Sequence, residues 1–330
     1  MEGYMSSKQV LLLTRTVMNN EMMETFKSLT PPGWQAIVMD LSQSDQKIEK
    51  AIQDSSYILI RDGVLLPIRL VEKANNLKLI QNGGQDTGHL PVKWALEKGV
   101  PVANAGGTNA VAVAEFTVLL MLSCLKRLLP FNQSLREGKY SGNMGRKGSK
   151  EMFDKTVGIV GFGNIGRRVA KLCYAFGANI IYYERLFIPY SLRADFKAKP
   201  VDLDELLSES DIVSLHVPTQ ITSGAMFGWK EFNKMKPTAY FINTSRGTNV
   251  NEKALYQALV EKRIAGAGLD VWSPEPPEKN NPLLNLPNVV ATPHVAGVSW
   301  ENTALSFEMM WKNVVLVSQG KEPLNRIRNF

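Results

Sequence analysis

Histidine and cysteine are scarce in this chain. Three histidines and two cysteines in 330 residues leave little material for a metal cage, and none of them has the close spacing of zinc ligands. Cys124 and Cys173 each lie in an apolar, helix-like stretch and read as small core residues in a reducing compartment. Long apolar runs are also missing. Val10 to Leu13 is too short for the core of a signal peptide. Ala110 to Leu125 is interrupted by Glu115 and Thr117 and falls short of the ~20 residues that span a bilayer. These absences predict a cytoplasmic protein with no metal and no membrane partner. The net charge is +7, yet Lys and Arg are scattered, without a basic helix or interleaved aromatics, which argues against nucleic acid. Small anionic ligands suffice as partners. No internal repeat or low-complexity tract occurs. With 44% hydrophobic and 21% charged residues the chain is an ordinary folded one, long enough for two domains that each bury a core.

What is present is an alternation of strand-like and helix-like segments, the pattern of parallel sheets with crossover helices. Val10–Leu13, Ala36–Met39, Tyr57–Ile60, Leu77–Ile80 and Val100–Ala103 form a first series. Val157–Val160, Asn179–Tyr183, Ile212–His216, Ala239–Asn243, Gly266–Val271 and Val289–Ala291 form a second. The spacing predicts an α/β protein with two doubly wound parallel-sheet domains. Between the series, Ala105-Gly106-Gly107-Thr108-Asn109 is rich in small and capping residues and opens a helix from about Asn109 to Leu129. That helix is apolar on nearly every face, more than one sheet can cover, which predicts a homodimer. Ser299 to Gln319 reads as a further helix.

Gly161-Phe162-Gly163-Asn164-Ile165-Gly166 lies between the strand Val157–Val160 and a helical run, Arg168 to Phe176, the setting that a dinucleotide fingerprint requires. Glycine permits the tight turn at Gly161, close approach of a pyrophosphate at Gly163 and close helix packing at Gly166. The next strand ends on Glu184, placed to bind ribose hydroxyls and to repel a 2′-phosphate, so NAD is favoured over NADP. Arg185 beside it is a cation that could partly accommodate such a phosphate.

Of the three histidines, His294 directly follows the strand Val289–Ala291 in Thr292-Pro293-His294-Val295-Ala296-Gly297, where strand ends gather around a crevice. Arg246, in Asn243-Thr244-Ser245-Arg246-Gly247, and Glu275, in Asp270-Val271-Trp272-Ser273-Pro274-Glu275, follow other strands of the same series. Together with the fingerprint, these blocks resemble the D-isomer-specific 2-hydroxyacid dehydrogenases, from about Leu77 to Asn325.

The resemblance implies a Rossmann NAD-binding domain, residues 106–295, inserted in a flavodoxin-like substrate domain, residues 1–105 and 296–330. It also implies hydride transfer between NAD and C2 of a small 2-hydroxy or 2-oxo acid. Arg246 would hold the substrate carboxylate and polarise the C2 oxygen, for which a planar permanent cation is suited. His294 would be the general acid/base, with Glu275 orienting the ring and stabilising its protonated form. Gly161, Gly163, Asn164, Ile165, Gly166, Glu184, His216, Val217, Pro218, Thr244, Ser245, Arg246, Asp270, His294 and Gly297 would surround the cofactor. Asp270 would meet the nicotinamide carboxamide, and His216 would flank the cofactor without a chemical role. The dimer would form through the NAD domain.

The first series departs from the family at its substrate loop. Asn82-Gly83-Gly84-Gln85-Asp86-Thr87-Gly88-His89 puts Gln85 and Asp86 where small residues usually sit, so Gly84, Gln85 and Asp86 are candidate substrate contacts of unsettled kind. Arg61 matches an arginine that reaches the substrate in some relatives, and reads equally well as a surface residue. Tyr140 stands in place of the usual tryptophan. The chain stops soon after Asn325, which predicts that the regulatory domain of some phosphoglycerate dehydrogenases is absent. Glyoxylate/hydroxypyruvate reductase, phosphoglycerate dehydrogenase and phosphite dehydrogenase types compete within the enzyme class, whereas Glu275 argues against the formate type. A non-enzymatic NADH sensor of the corepressor kind is the alternative from another class.

Overall fold

The computed structural model describes residues 8–61, 63–140, 148–218 and 224–328. The chain divides into two compact units, Met1–Asn109 with Ser299–Phe330, and Ala110–Val298.

The first unit holds five parallel strands, β1 (Lys8–Thr14), β2 (Trp34–Asp40), β3 (Tyr57–Ile60), β4 (Leu79–Asn82) and β5 (Val102–Ala103), in the order β2-β1-β3-β4-β5. This is the flavodoxin-like order. β1 shows why its sequence is continuously apolar: Leu11 and Leu13 enter the core on one face of the sheet, with Ile58, Ile60 and Ile80. Val10 and Leu12 enter the core on the other, with Leu59, Leu79 and Phe307. A parallel sheet covered on both faces has no polar side to alternate with. Phe307 belongs to the helix Trp300–Ser318, which the Ser299 hydroxyl caps by accepting from Asn302 N. Two strands sit later in the chain than the apolar runs suggest. Pairing of Tyr57 with Leu79 shifts β4 from Leu77–Ile80 to Leu79–Asn82, and Pro101, having no N–H to give a ladder, delays β5 from Val100 to Val102.

The second unit holds seven parallel strands, β6 (Thr156–Val160), β7 (Asn179–Tyr183), β8 (Lys199–Pro200), β9 (Ile212–Leu215), β10 (Tyr240–Asn243), β11 (Gly266–Leu269) and β12 (Val289–Ala291). Their order is β12-β11-β10-β9-β6-β7-β8, so the winding reverses between β6 and β9. That reversal is the switch point at which a doubly wound sheet leaves a crevice for a ligand. β8 is two residues long and has no apolar signature. One face of the sheet is covered by the helices Ala110–Lys126 and Asn164–Ala175, through Ala114, Val118, Met121, Val169 and Cys173. The first of these helices ends at Lys126, short of Leu129, because Arg127 takes a left-handed conformation (φ 54°) before a second helix, Leu128–Arg136. The helix after the fingerprint starts at Asn164 rather than Arg168, since Gly163 is its N-cap. Among the described residues no helix is long and apolar enough to cross a membrane.

Candidate active site

The glycine turn of the second unit is sterically enforced. Gly161 has φ +93°, and a Cβ there would lie 2.7 Å from the His216 carbonyl oxygen. At Gly166 a Cβ would lie 2.1 Å from the Gly161 carbonyl oxygen, which holds the helix Asn164–Ala175 hard against the turn. Gly163 differs, because a Cβ there would meet nothing within 4 Å. Its neighbourhood is open, and no side chain caps the helix that it starts. The N–H groups of Asn164, Ile165 and Gly166 thus stand at a helix N-terminus with space before them, an arrangement that attracts phosphate. Asn164 is exposed and Ile165 half-buried, and Asn164 Oδ1 accepts from Arg167.

Glu184 leaves the end of β7 and folds back over the turn. One carboxylate oxygen accepts from Phe162 N at 2.9 Å and the other from Arg185 N at 2.8 Å, so the position of the charge is set by backbone. Arg185 is exposed. Across the switch point, at the end of β9, the His216 ring bonds the Ser214 hydroxyl at 2.8 Å. Burial pushes its imidazole down to about 3. Neutral at pH 7, the His216 ring is a hydrogen-bond partner of Ser214. Val217 lies against Gly161 and its carbonyl accepts from Asn249, while Pro218 is exposed. An open glycine turn, an uncapped helix N-terminus and a ribose-height carboxylate at one switch point fit a dinucleotide.

On the β10 side, buried asparagines shape the turn that carries Arg246. Asn243 Oδ1 accepts from the N–H and the hydroxyl of Ser245, at 3.0 and 2.8 Å, while its Nδ2 donates to the Arg246 carbonyl at 3.0 Å. Thr244 is buried, and Arg246 donates from Nη1 to the Ser245 carbonyl at 2.7 Å, which fixes the guanidinium. The next residue must be glycine, because a Cβ at Gly247 would lie 1.9 Å from the Trp272 carbonyl oxygen. This contact brings the Arg246 turn against the segment that carries Glu275. Glu252 holds that segment from the other side, accepting from Ser273 N and Asn281 Nδ2, both at 2.7 Å.

The His294 turn is organised by Asp270, which is fully buried. One oxygen of its carboxylate accepts from the Thr292 hydroxyl at 2.6 Å and Val295 N at 2.9 Å, and the other from Ala296 N at 2.8 Å. Its backbone carbonyl accepts from His294 N. Three donors satisfy a charge that would otherwise be costly to bury, and they clamp the residues on both sides of His294, which itself sits at φ +56°. Trp272 adds a fifth tie, its indole N–H donating to the Thr292 carbonyl at 2.9 Å. Held this way, His294 directs Nδ1 onto the Glu275 carboxylate in a hydrogen bond. Gly297, half-buried, ends the turn. The structure therefore joins Glu275 to His294 and sets Arg246 on an adjacent, rigid turn of the same unit. Asn243, Asn249, Trp272 and Thr292 escape a reading of the sequence, since a buried asparagine or indole leaves no periodic or charge signal.

The substrate-loop candidates belong to the first unit. Ser306 donates to the Gly83 carbonyl at 2.7 Å, Asn104 to that of Gln85 at 2.8 Å, and Asn82 to that of Asp86 at 2.5 Å. With these carbonyls tied back, Gly84, Gln85 and Asp86 are exposed. Asp86 Oδ1 accepts from Gly88 N at 2.9 Å, so the carboxylate is engaged by its own loop. Arg61 is half-buried, its guanidinium lying 4.8 Å over the Phe307 ring. Stacking of this kind holds a cation in place at the strand end, unlike a loosely solvated surface arginine. Burial lowers the pKa of His89 in the same loop, with Arg15 acting in the same direction and Asp86 opposing.

Comparison with known proteins agrees with this geometry. The profile of the D-isomer specific 2-hydroxyacid dehydrogenase, NAD binding domain, matches residues 118–296, more than half of the chain. The chain is 38% identical over 257 residues to hydroxypyruvate reductase of Thermotoga maritima, covering 77% of this chain and 82% of that protein. It is also 38% identical over 253 residues to D-3-phosphoglycerate dehydrogenase of Methanocaldococcus jannaschii, covering 76% of this chain but only 47% of that protein. Among solved structures, a protein of Thermus thermophilus superposes with a TM-score of 0.84 at 28% identity, over 97% of this chain and all of that one. The chain belongs to the D-isomer-specific 2-hydroxyacid dehydrogenase family and is an NAD-dependent oxidoreductase.

Proposed function

We propose that the protein reduces the C2 carbonyl of a small 2-oxo acid, of which hydroxypyruvate and glyoxylate are the foremost candidates, and catalyses the reverse oxidation. The observation that carries this reading is the bond from His294 Nδ1 to Glu275. It fixes the ring orientation and leaves Nε2 as the nitrogen that can hand a proton to a C2 oxygen or take one back. Arg246, held by Ser245 and Asn243, pairs with the substrate carboxylate and polarises the C2 oxygen. NAD, when bound, supplies or accepts the hydride. Gly161 to Gly166 and Glu184 would bind its pyrophosphate and ribose, with Thr244, Ser245 and Asp270 toward its nicotinamide end.

The first unit is assigned to the substrate, through Arg61 and the backbone of Gly84 to Asp86. Self-association through the second unit completes the reading, supported by the exposed Val111, Leu119, Leu128, Leu129 and Leu135 on the helices Ala110–Lys126 and Leu128–Arg136. The test is NADH oxidation with glyoxylate, hydroxypyruvate, pyruvate, 3-phosphohydroxypyruvate and bulkier 2-oxo acids. Saturable turnover of the smaller acids supports an enzyme of this type. NADH binding without turnover of any of them would favour the sensor instead.

Asp86 sharpens the assignment of the loop. A carboxylate ~5 Å from the substrate anion at an effective dielectric of ~20 would cost roughly 3 kcal/mol, and this one is turned onto Gly88 N. The expected result for Asp86→Asn is therefore a change under about threefold in kcat/KM for every acid of the panel. A selective loss above about tenfold with hydroxylated or amino substrates would make Asp86 a substrate contact instead.

A further inference from the structure

Glu275, whose carboxylate meets the His294 ring, stands in a segment that the core does not hold. From Ser273 to Asn280 no side chain is buried, so packing alone does not place it. The Glu252 carboxylate closes this segment at both ends. Its Oε1 accepts from Ser273 N and its Oε2 from Asn281 Nδ2, both at 2.7 Å.

Glu252 opens the helix Glu252–Val260. An acidic residue in a first turn ordinarily serves its own helix terminus. Here Asn251 supplies the cap, its side chain accepting from Ala254 N at 3.1 Å, and both oxygens of Glu252 go to residues 21 and 29 positions further along the chain. The partners also demand a carboxylate. Both of them donate, and the Asn281 amide cannot turn its oxygen toward Glu252, because Oδ1 accepts from Leu283 N at 3.0 Å. An amide at position 252 has one accepting and one donating end, so whichever way it faces, N–H is set against N–H at one end of the segment.

We propose that Glu252 is a positioning residue for proton transfer: by tying both ends of an exposed segment it places the Glu275 carboxylate that orients His294. The inference rests on the reading of His294 as the general acid/base. A loosened carboxylate lets the imidazole turn, and misplacing a reacting group by ~1 Å can cost ~10²-fold in rate.

The test measures kcat with the 2-oxo acid of the panel that is turned over fastest, NADH affinity by fluorescence titration and the midpoint of urea unfolding, in Glu252→Gln, in Asn281→Asp and in the two combined. Each single change sets like groups against each other, N–H against N–H or carboxylate against carboxylate. Each is expected to lower kcat by roughly ten- to hundredfold while NADH affinity changes by less than about twofold. In the combined variant the new amide donates to the new carboxylate, whose other oxygen still accepts from Leu283 N, and kcat is expected within about threefold of wild type. Glu275→Ala separates positioning from general support of the fold. In that background Glu252→Gln has no carboxylate left to misplace, and is expected to change kcat by less than about twofold. Wild-type kcat in folded Glu252→Gln or Asn281→Asp overturns the inference. So does a folded combined variant as slow as the single ones, or a further loss of about tenfold on top of Glu275→Ala, which would make the tie structural only. Wild-type kcat in Glu275→Ala itself, or no turnover of any acid by the wild-type protein, would instead overturn the reading of the His294 site, and this inference with it.

Discussion

Replacing His294 with alanine is expected to lower kcat by ~10²- to 10⁴-fold, the usual loss when a positioned acid or base is removed, while NADH still binds. The separation of the two effects follows from where the interactions lie. The turn around His294 is held by Asp270 through Thr292, Val295 and Ala296, none of which involves the imidazole. The glycine turn and Glu184 that would hold the dinucleotide are tied to β6 and β7. Deleting the ring therefore removes proton transfer without dismantling either element. Steady-state kinetics with hydroxypyruvate, paired with NADH titration of the same variant, measures both quantities. A variant that binds NADH and retains more than about a tenth of wild-type kcat would show that His294 is not the acid.

The second large effect concerns the choice of cofactor. Glu184 is anchored by Phe162 N and Arg185 N, so it cannot readily swing away from a 2′-phosphate. Two unit charges ~5 Å apart at an effective dielectric of ~20 repel by roughly 3 kcal/mol, more than a hundredfold in affinity. The carboxylate is half-exposed, and screening reduces this figure. The doubled charge of a phosphate increases it. The wild-type protein is expected to favour NADH over NADPH by ~100-fold or more in kcat/KM. In Glu184→Gln, which keeps an acceptor for Phe162 N, the ratio is expected to fall at least about tenfold. Equal use of the two cofactors by the wild-type protein would contradict the assignment and move attention to Arg185, whose guanidinium could pair with the phosphate.

The alternation of apolar runs made both sheets legible, because a strand buried on both faces has to be apolar throughout. What it could not give were boundaries set by partners: β4 is placed by its register with β3, and β8 has two residues. The site divides along similar lines. His294, Glu275 and Arg246 stood out since each is a charged or titratable residue just past a strand, and the fold brings the first two into direct contact. Asp270 stands out as a candidate for the nicotinamide end, and nothing local marks the three hydrogen bonds that its carboxylate takes from the His294 turn. Nothing local marks Asn243 as the residue that shapes the Arg246 turn, since its partners lie in backbone geometry that forms only when the turn does. The excluded volume behind Gly247 is likewise visible only once Trp272 is in place.

The central claim is hydride delivery to C2 of a 2-oxo acid with a proton from His294. It is tested most directly by supplying NADH deuterated on both hydrogens of nicotinamide C4 together with hydroxypyruvate in ordinary water, and by determining the isotope content and configuration of the product. The account predicts D-glycerate with one deuterium at C2 and a hydroxyl proton drawn from solvent. Glycerate without deuterium, the L-isomer, or no consumption of NADH with any acid of the panel would contradict it.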